Sequence, residues 1–342
     1  MADFTGGYSA GWDICLVDAA TWADSGDVDG IMSVSITRDA TDETPLIETG
    51  TMQCDGEAPF ESAWCRIYMR AEQDSAERIP MATLLFERGK VTTHHQSPIC
   101  ELRGWSVLKP AADLKLKRGM FAASGIDGAA LAGRMLSACI PAPVEVEGSF
   151  TLVDDLVFDL GSSYLQAVWQ ILRAADWCMQ IDGDGTVHVR QKPTEPSLEL
   201  DRALASLLIP GVDMTLDISE VPNRYIAIDA NGATEVAEND DPNLPASYQR
   251  RGRWVECVDS SPTRIDGETL HGYAERRLRE LSTVTREYGY TREWWSDCTP
   301  FSLVRAHLPE GGIEGDLRIR SQTLNCGKGV TVTETSCEEV RV

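Results

Sequence analysis

No apolar run in this sequence approaches the ~20 residues that a membrane-crossing helix requires. The longest, such as Ala203 to Ile209, falls far short, so no membrane segment is expected. The first residues, MADFTGGYSAGW, lack both a basic start and an apolar core, and no secretory leader is expected. Close cysteine pairs are missing too. Ten cysteines (15, 54, 65, 100, 139, 178, 257, 298, 326, 337) are scattered without one CxxC. Zinc sites place ligands in such pairs, so no metal is expected. The cysteines read as small buried apolar residues of a protein kept in a reducing compartment.

Basic charge is scarce. Lys and Arg number 31 against 54 Asp and Glu, a net charge of −23. Such a surface repels duplex DNA and anionic lipid, which argues against nucleic-acid binding. A wall that must not stick to passing DNA would share this composition. Nucleotide motifs are absent as well. Gly89-Lys90 and Gly327-Lys328 lack the glycine five positions earlier that a phosphate loop needs, and no GxGxxG occurs. The five histidines (94, 95, 188, 271, 307) form no HExxH or other ligand spacing, and on a strand His94 and His95 would point to opposite faces.

What is present is a globular, turn-rich chain of 342 residues, 42% hydrophobic, with 28 Gly and 16 Pro. Its length suits two or three domains. The best-specified stretch is Gly161 to Gln191. Ser162 or Ser163 can cap a helix whose Leu165, Val168, Trp169 and Leu172 share one face, ending near Ala175. Trp177, Met179 and Ile181 then alternate, as do Val187 and Val189, around Asp182-Gly183-Asp184-Gly185. Gly and Asp tolerate the positive φ of tight turns, so a two-stranded hairpin is predicted.

Residues 1–108 read as strands, notably Ile31 to Arg38 with Met32, Val34 and Ile36 on one face. Many short strands of this spacing suit a barrel or sandwich. Residues 109–196 form an α+β middle domain, with a helix capped by Asp127, running through Cys139 and presenting Leu131, Met135 and Ala138. Residues 197–342 return to strands around one helix. That helix runs over about 267–282, capped by Asp266, with Leu270, Tyr273, Ala274, Leu278 and Leu281 inward. Its arginines 276, 277 and 279 are expected to pair with Glu275 and Glu280. Ala237 to Gln249 is expected as a long polar loop, functional or ordered on assembly.

The motifs that could carry chemistry each have a plainer explanation. Gly7-Tyr8-Ser9-Ala10-Gly11 matches G-x-S-x-G but has no preceding strand and no following helix. Ser106 and Lys109 match S-x-x-K without its companion elements. Asp182 to Thr186 resembles the start of a calcium loop, but position six is Val187 and position twelve is Pro193. Tyr288, Tyr290, Trp294 and Trp295 could form a sugar platform, or equally a core or subunit contact. Among 54 acids nothing marks a glycosidase pair.

Several stretches spread along the chain, taken together, are similar to one family. They are Ser33–Asp39 (SVSITRD), Thr44–Gly50 (TPLIETG), Trp64–Tyr68 (WCRIY), Gly161–Leu172 (GSSYLQAVWQIL) with Trp177 and Asp182–Thr186 after it, Val221–Ile226 (VPNRYI), Asn239–Pro242 (NDDP) and Ser321–Leu324 (SQTL). In this order they resemble the baseplate or tail hub proteins of tailed bacteriophages. The resemblance implies two similar β-barrel hub domains flanking the middle domain. It also implies a homotrimeric ring of pseudo-sixfold symmetry that joins the sixfold tail tube to the threefold tip. Its partners would be a distal tail or tube protein, the tape-measure protein and a tip or fibre protein, around a passage for DNA. The location would be the virion tail tip, assembled in the bacterial host cytoplasm. With strands predicted up to Val342, a bare hub is expected, without catalytic residues or cofactor. Two rival readings remain: a tail-associated enzyme degrading cell wall or polysaccharide through loop 237–249 and the 288–295 aromatics, and a carbohydrate-binding module.

Overall fold

The computed structural model describes residues 10–40, 47–71, 78–93, 98–200, 209–229, 231–260, 262, 268–294, 298–308 and 313–342. The first segment holds β1 (Ala10–Val17), β2 (Asp24–Asp27), β3 (Ile31–Asp39), β4 (Ile47–Asp55), β5 (Ser62–Ala71), β6 (Arg78–Thr93) and β7 (Pro98–Ser106). Next come α1 (Lys109–Asp113), β8 (Met120–Ala122), α2 (Gly128–Ser137), β9 (Val144–Glu147), β10 (Leu156–Phe158), α3 (Tyr164–Arg173), β11 (Trp177–Ile181) and β12 (Val187–Gln191). Then follow β13 (Pro196–Leu200), β14 (Ile209–Thr215), β15 (Arg224–Ile228), β16 (Thr234–Glu238), α4 (Tyr248–Arg251) and β17 (Glu256–Asp259). The chain finishes with α5 (Leu270–Leu281), β18 (Thr283–Glu293), β19 (Leu303–Leu308), β20 (Ile313–Cys326) and β21 (Val330–Arg341). The protein is mainly β, as expected. Contacts group it into two compact units, Met1–Gly211 with Tyr290–Ser336, and Val212–Gly289 with Cys337–Val342.

In the first unit one sheet runs β2-β1-β5-β6-β7-β4-β3-β20. β20, from the last part of the chain, pairs antiparallel with β3 from the first, Leu324 opposite Ile36. It also pairs with β19, which pairs in parallel with β13. Among the described residues no pairing closes the sheet into a barrel. Its core gathers Val34, Ile36, Met52, Ile67, Met69, Leu84, Phe86, Leu102, Leu324 and Val332. Each such side chain, fully buried, contributes roughly 1.5–3 kcal/mol of hydrophobic stabilisation.

The face expected on β3 is only partly the buried one. Val34 and Ile36 are buried, but Met32 is 50% exposed and Arg38 takes the next buried position. The register between β3 and β4 shifts at Met32, with Ile31 opposite Cys54 and Ser33 opposite Gln53. A bulge of this kind re-aims one side chain and breaks the alternation. Arg38 is tolerated inside because Glu48, directly across on β4, accepts from its Nε at 2.6 Å and Met81 O accepts from Nη2 at 2.8 Å.

A second core in the same unit belongs largely to residues 107–189. α3 follows its sequence: Leu165, Val168, Trp169 and Leu172 are all buried. Of the two serines, Ser163 is the cap. Its Oγ accepts from Gln166 N at 3.1 Å, and Gln166 Oε1 accepts from Ser163 N at 3.1 Å. Ser163→Ala should therefore lower stability by about 1 kcal/mol in urea unfolding. Asp127 caps α2 as predicted, accepting from Ala130 N at 3.1 Å. The buried stripe of that helix differs, however. It is made by Ala129, Ala132, Met135 and Leu136, while Ala138 is exposed. The helix also stops at Ser137 rather than Cys139. Small residues on that stripe let α2 lie close to its neighbours, which apolar spacing alone does not reveal.

The predicted hairpin forms, with Trp177 opposite Gln191 and Ile181 opposite Val187, and with Gly185 at φ +89. One strand departs from expectation. Every residue of β11 is buried, polar Gln180 included, because both of its faces are covered. β12 also gains a parallel neighbour, β9, placed directly after the Pro141–Pro143 connector.

In the second unit β15 lies between β16 and β17, antiparallel to the first and parallel to the second. α5 covers one face of this sheet through Tyr273, Ala274 and Leu278 against Tyr225, Ala227 and Ala237. Its cap is Thr269, whose Oγ1 accepts from Gly272 N at 3.1 Å; Asp266 lies outside the described residues. No helix among the described residues is long and apolar enough to cross a membrane.

Candidate interaction surfaces

The hairpin turn Asp182–Gly185 is anchored by several side chains of the first unit. Arg66, on β5, is buried and reaches four acceptors. Its Nε donates to Thr83 Oγ1 (3.1 Å), Nη1 to Asp24 Oδ1 (2.8 Å), and Nη2 to Trp22 O (3.2 Å) and Asp184 O (3.0 Å). Trp22 Nε1 donates to Asp184 O at 2.9 Å, and Thr83 Oγ1 to Gly183 O at 3.0 Å. The turn's carboxylates are occupied as well. Asp184 Oδ1 accepts from Thr186 N at 2.9 Å, and Asp182 Oδ2 sits 2.9 Å from His188 Nε2. His188 Nδ1 lies 2.9 Å from Glu147 Oε1, so the imidazole bridges the two carboxylates. This is hairpin-turn chemistry, and no His/Cys/Asp/Glu cluster fit for a metal occurs among the described residues.

Beside the turn lies a cleft of about 550 Å³ lined by Gln180, Asp182, Asp184, Arg190, Glu195 and Thr299 among others. The hydroxyls around it are bonded to backbone or to the Gln180 amide. Ser197 Oγ donates to Leu303 O, Ser302 Oγ accepts from Thr299 N, and the Gln180 amide is held by Thr299, Pro300 and Ser302. Among the described residues none of these serines is paired with a general base, as a nucleophile would be.

In the second unit the polar stretch 237–249 is not one long loop. Its first residues end β16, and Ser247 leads into α4. Between them Asn239 is buried, donating to Val342 O at 3.2 Å, and Asp241 Oδ1 accepts from both Asn243 N and Asn243 Nδ2. On the sheet face away from α5, Arg224 bridges Glu238 (2.7 Å) and Glu256 (2.9 Å). The guanidinium lies 3.9 Å over Trp254, and Tyr248 stacks on that indole at 4.2 Å. Sequence reasoning missed this group, because its members are unrelated in spacing.

The remaining sequence candidates resolve as follows. Tyr288, Tyr290 and Trp294 are buried, so they offer no open platform; Trp295 lies outside the described residues. Tyr290 Oη meets Ser336 Oγ at 2.7 Å, and Tyr288 Oη donates to Glu338 at 2.7 Å. Arg276 pairs with Glu268 (2.8 Å) and Glu280 (2.9 Å), and Arg277 with Glu280; Glu275 instead faces His271 at 3.4 Å. Ser106 Oγ accepts from Leu108 N, and Lys109 pairs with Asp113. Residues 7–9 of the G-x-S-x-G match, His94 and His95, and the apolar run before Ile209 lie outside the described residues.

Seven of the ten cysteines are buried and three are half-buried. Burial pushes the thiols of Cys65, Cys178 and Cys326 up to about 12, so they stay protonated and unreactive at neutral pH. A thiol-reactive probe should label at most the half-buried Cys139, Cys257 and Cys337 quickly in native protein, and all ten after denaturation.

No family model matches the chain, and no curated protein does. Solved structures do. A tail protein from Neisseria meningitidis aligns over 97% of both chains with a TM-score of 0.63 at 14% identity. The 43 kDa tail protein of prophage MuSo2 from Shewanella oneidensis aligns over 96% of this chain and 98% of its own, with a TM-score of 0.63 at 11% identity. VgrG and PdpA in complex, from Francisella, supply a chain that this one matches over 97% of its own length and 53% of the other's, with a TM-score of 0.56 at 8% identity. The chain shares the fold of these tail proteins, in line with the family that its sequence resembles.

Proposed function

We propose that the protein is a structural component of a phage tail tip or baseplate, acting by shape and without catalysis or cofactor. Three copies would form a hub ring joining the sixfold tail tube to the threefold tip. The β-rich segments 1–108 and 197–342 would serve as the two hub halves, with 109–196 between them. A distal tail or tube protein, the tape-measure protein and a tip or fibre protein would be its neighbours in the virion, after assembly in the bacterial cytoplasm. The observation that carries this reading is the likeness in fold along nearly the whole chain to tail proteins.

Charge supports it. Among the described residues only Glu48 and Glu334 are buried carboxylates, so the acidic excess lies at the surface, where it would keep a DNA passage from binding its cargo. The sugar-platform alternative loses its basis with Tyr288, Tyr290 and Trp294 buried. Stable assembly interfaces usually bury more than ~2,000 Å². The purified protein should therefore show a species of three times the 37.5 kDa chain mass by light scattering. A strict monomer, or an image of the particle tip without this chain around the axis, would overturn the reading.

A further inference from the structure

The inner face of the first-unit sheet carries one row of polar side chains across the neighbouring strands β4, β3, β20, β21 and β18. The row is Glu48, Arg38, Gln322, Glu334 and Arg292, all buried. Arg38 stands opposite Glu48 on one side and opposite Gln322 on the other. Gln322 Nε2 donates to Cys298 O at 2.8 Å and to Glu334 Oε1. Glu334 also accepts from Arg292, through Nε at 2.9 Å and through Nη2. Next to the row the same face is apolar: Ile36 lies opposite Leu324, and Val34 opposite Cys326.

Stability does not account for this row. Glu48 Oε2 and Gln322 Oε1 are buried without a hydrogen-bond partner among the described residues, so part of their desolvation cost is never returned. Apolar side chains of similar volume commonly match or better a buried ion pair. What such a row does supply is discrimination between strand pairings. Thr37 and Thr323, which meet across the β3–β20 seam, are 286 positions apart, so no turn sets the register there. Sliding one strand by one residue would turn its apolar face to solvent, and alternation alone excludes it. Sliding by two keeps every side chain on its face. Arg38 would then stand opposite Leu324, or opposite Arg320 with Ile36 opposite Gln322. Aliphatic neighbours are interchangeable in such a slip; a guanidinium or amide set against an aliphatic chain, or against a second guanidinium, is not.

We propose that the row Glu48, Arg38, Gln322, Glu334 and Arg292 is a register key. It seats the late strands β20 and β21 on the early strand β3 in one alignment, and it excludes the two-residue slips that the apolar residues alone would accept. This role joins the two ends of the chain into one sheet and is independent of the hub reading.

Cysteine pairs on the outer face of the same strands read the alignment. Thr37 and Thr323 are directly opposed with their hydroxyls 3.4 Å apart, within reach of a disulfide. Thr37 comes opposite Asn325 or Ser321 only after a slip. Without one these pairs are diagonal, roughly 7–8 Å apart and beyond that reach. The pairs Thr37→Cys/Thr323→Cys, Thr37→Cys/Asn325→Cys and Thr37→Cys/Ser321→Cys are made in the full-length chain. They are made again with Arg38→Met, Glu48→Leu, Gln322→Leu, Glu334→Leu and Arg292→Met added. Each protein is oxidised with diamide and its cross-linked peptides are quantified by mass spectrometry, with melting curves as the folding control. The expected result is the Thr323 cross-link alone while the row is present. With the row made apolar, the share of slipped cross-links should rise at least about tenfold. If that variant does not fold, Arg38→Met/Glu48→Leu/Gln322→Leu replaces it. A folded variant with no more slipped cross-link than the native row overturns the proposal. Failure of both variants to fold overturns it too, since the row would then be a requirement of stability itself.

Discussion

Glu48→Ala should lower stability by about 3–5 kcal/mol, one of the two largest effects expected from a single substitution here. Glu48 and Arg38 face each other on β4 and β3, with side chains 1% and 3% exposed and 2.6 Å between Oε1 and Nε. Removing the carboxylate leaves a guanidinium inside the sheet with, among the described residues, only Met81 O as acceptor. Water cannot reach it at that depth, so the lost partner is not replaced. At about 2–4 °C per kcal/mol, calorimetry should show the melting temperature falling by roughly 6–20 °C. The double variant Arg38→Met/Glu48→Leu separates pairing from packing. An apolar pair of similar volume leaves nothing charged inside, so it should stay within about 2 kcal/mol of wild type. It also removes Glu48 Oε2, which is buried and has no hydrogen-bond partner among the described residues. A loss under about 1 kcal/mol for Glu48→Ala would mean that Arg38 reaches solvent after all.

Gly183→Ala should be comparably damaging for a steric reason. A Cβ at this position would lie 1.9 Å from Pro80 O and 2.4 Å from Pro80 C, both backbone atoms of β6. No rotamer change relieves a clash between two main chains, so the hairpin must lift from the strand. The Gly183 and Asp184 carbonyls would then lose Thr83, Arg66 and Trp22, each hydrogen bond contributing about 0.5–1.5 kcal/mol net. Together with the overpacking, a loss of about 3–5 kcal/mol is expected in urea unfolding. Gly119→Ala, where an added Cβ meets nothing within 4 Å, is the matched control and should change stability by less than about 0.5 kcal/mol. Equal behaviour of the two variants would show that the hairpin is not seated on β6.

These two effects also show where sequence reading reaches its limit. Gly183 is legible as a turn glycine, because Asp182 to Gly185 is flanked by alternating strands. That it must be glycine for close approach depends on Pro80, a hundred residues away along the chain. Arg38 reads as the polar end of an alternating strand, and only Glu48 across the ladder makes it an interior residue. The bulge at Met32 shifts the pattern locally, and no alternation count detects a bulge.

Local features were readable because their causes are local. The Ser163 cap, the Leu165–Leu172 face, the Asp127 cap and the hairpin turn each involve residues within a few positions of one another. Their energetics hardly depend on the rest of the chain. The order of motifs likewise carried the family likeness, since it reflects the fold of the whole. Periodicity states that a face is buried, never against what. It could not place β20 beside β3, where Thr37 and Thr323 meet across 286 positions. Nor could it show Gln180 enclosed by Thr299 to Ser302, or Arg224 stacked on Trp254. The sequence by itself determined the mainly β character, the central helix and hairpin, and the acidic surface. Which strands share a sheet and which charges lie inside it were decided only by tertiary structure, because those contacts join segments that share no local signal.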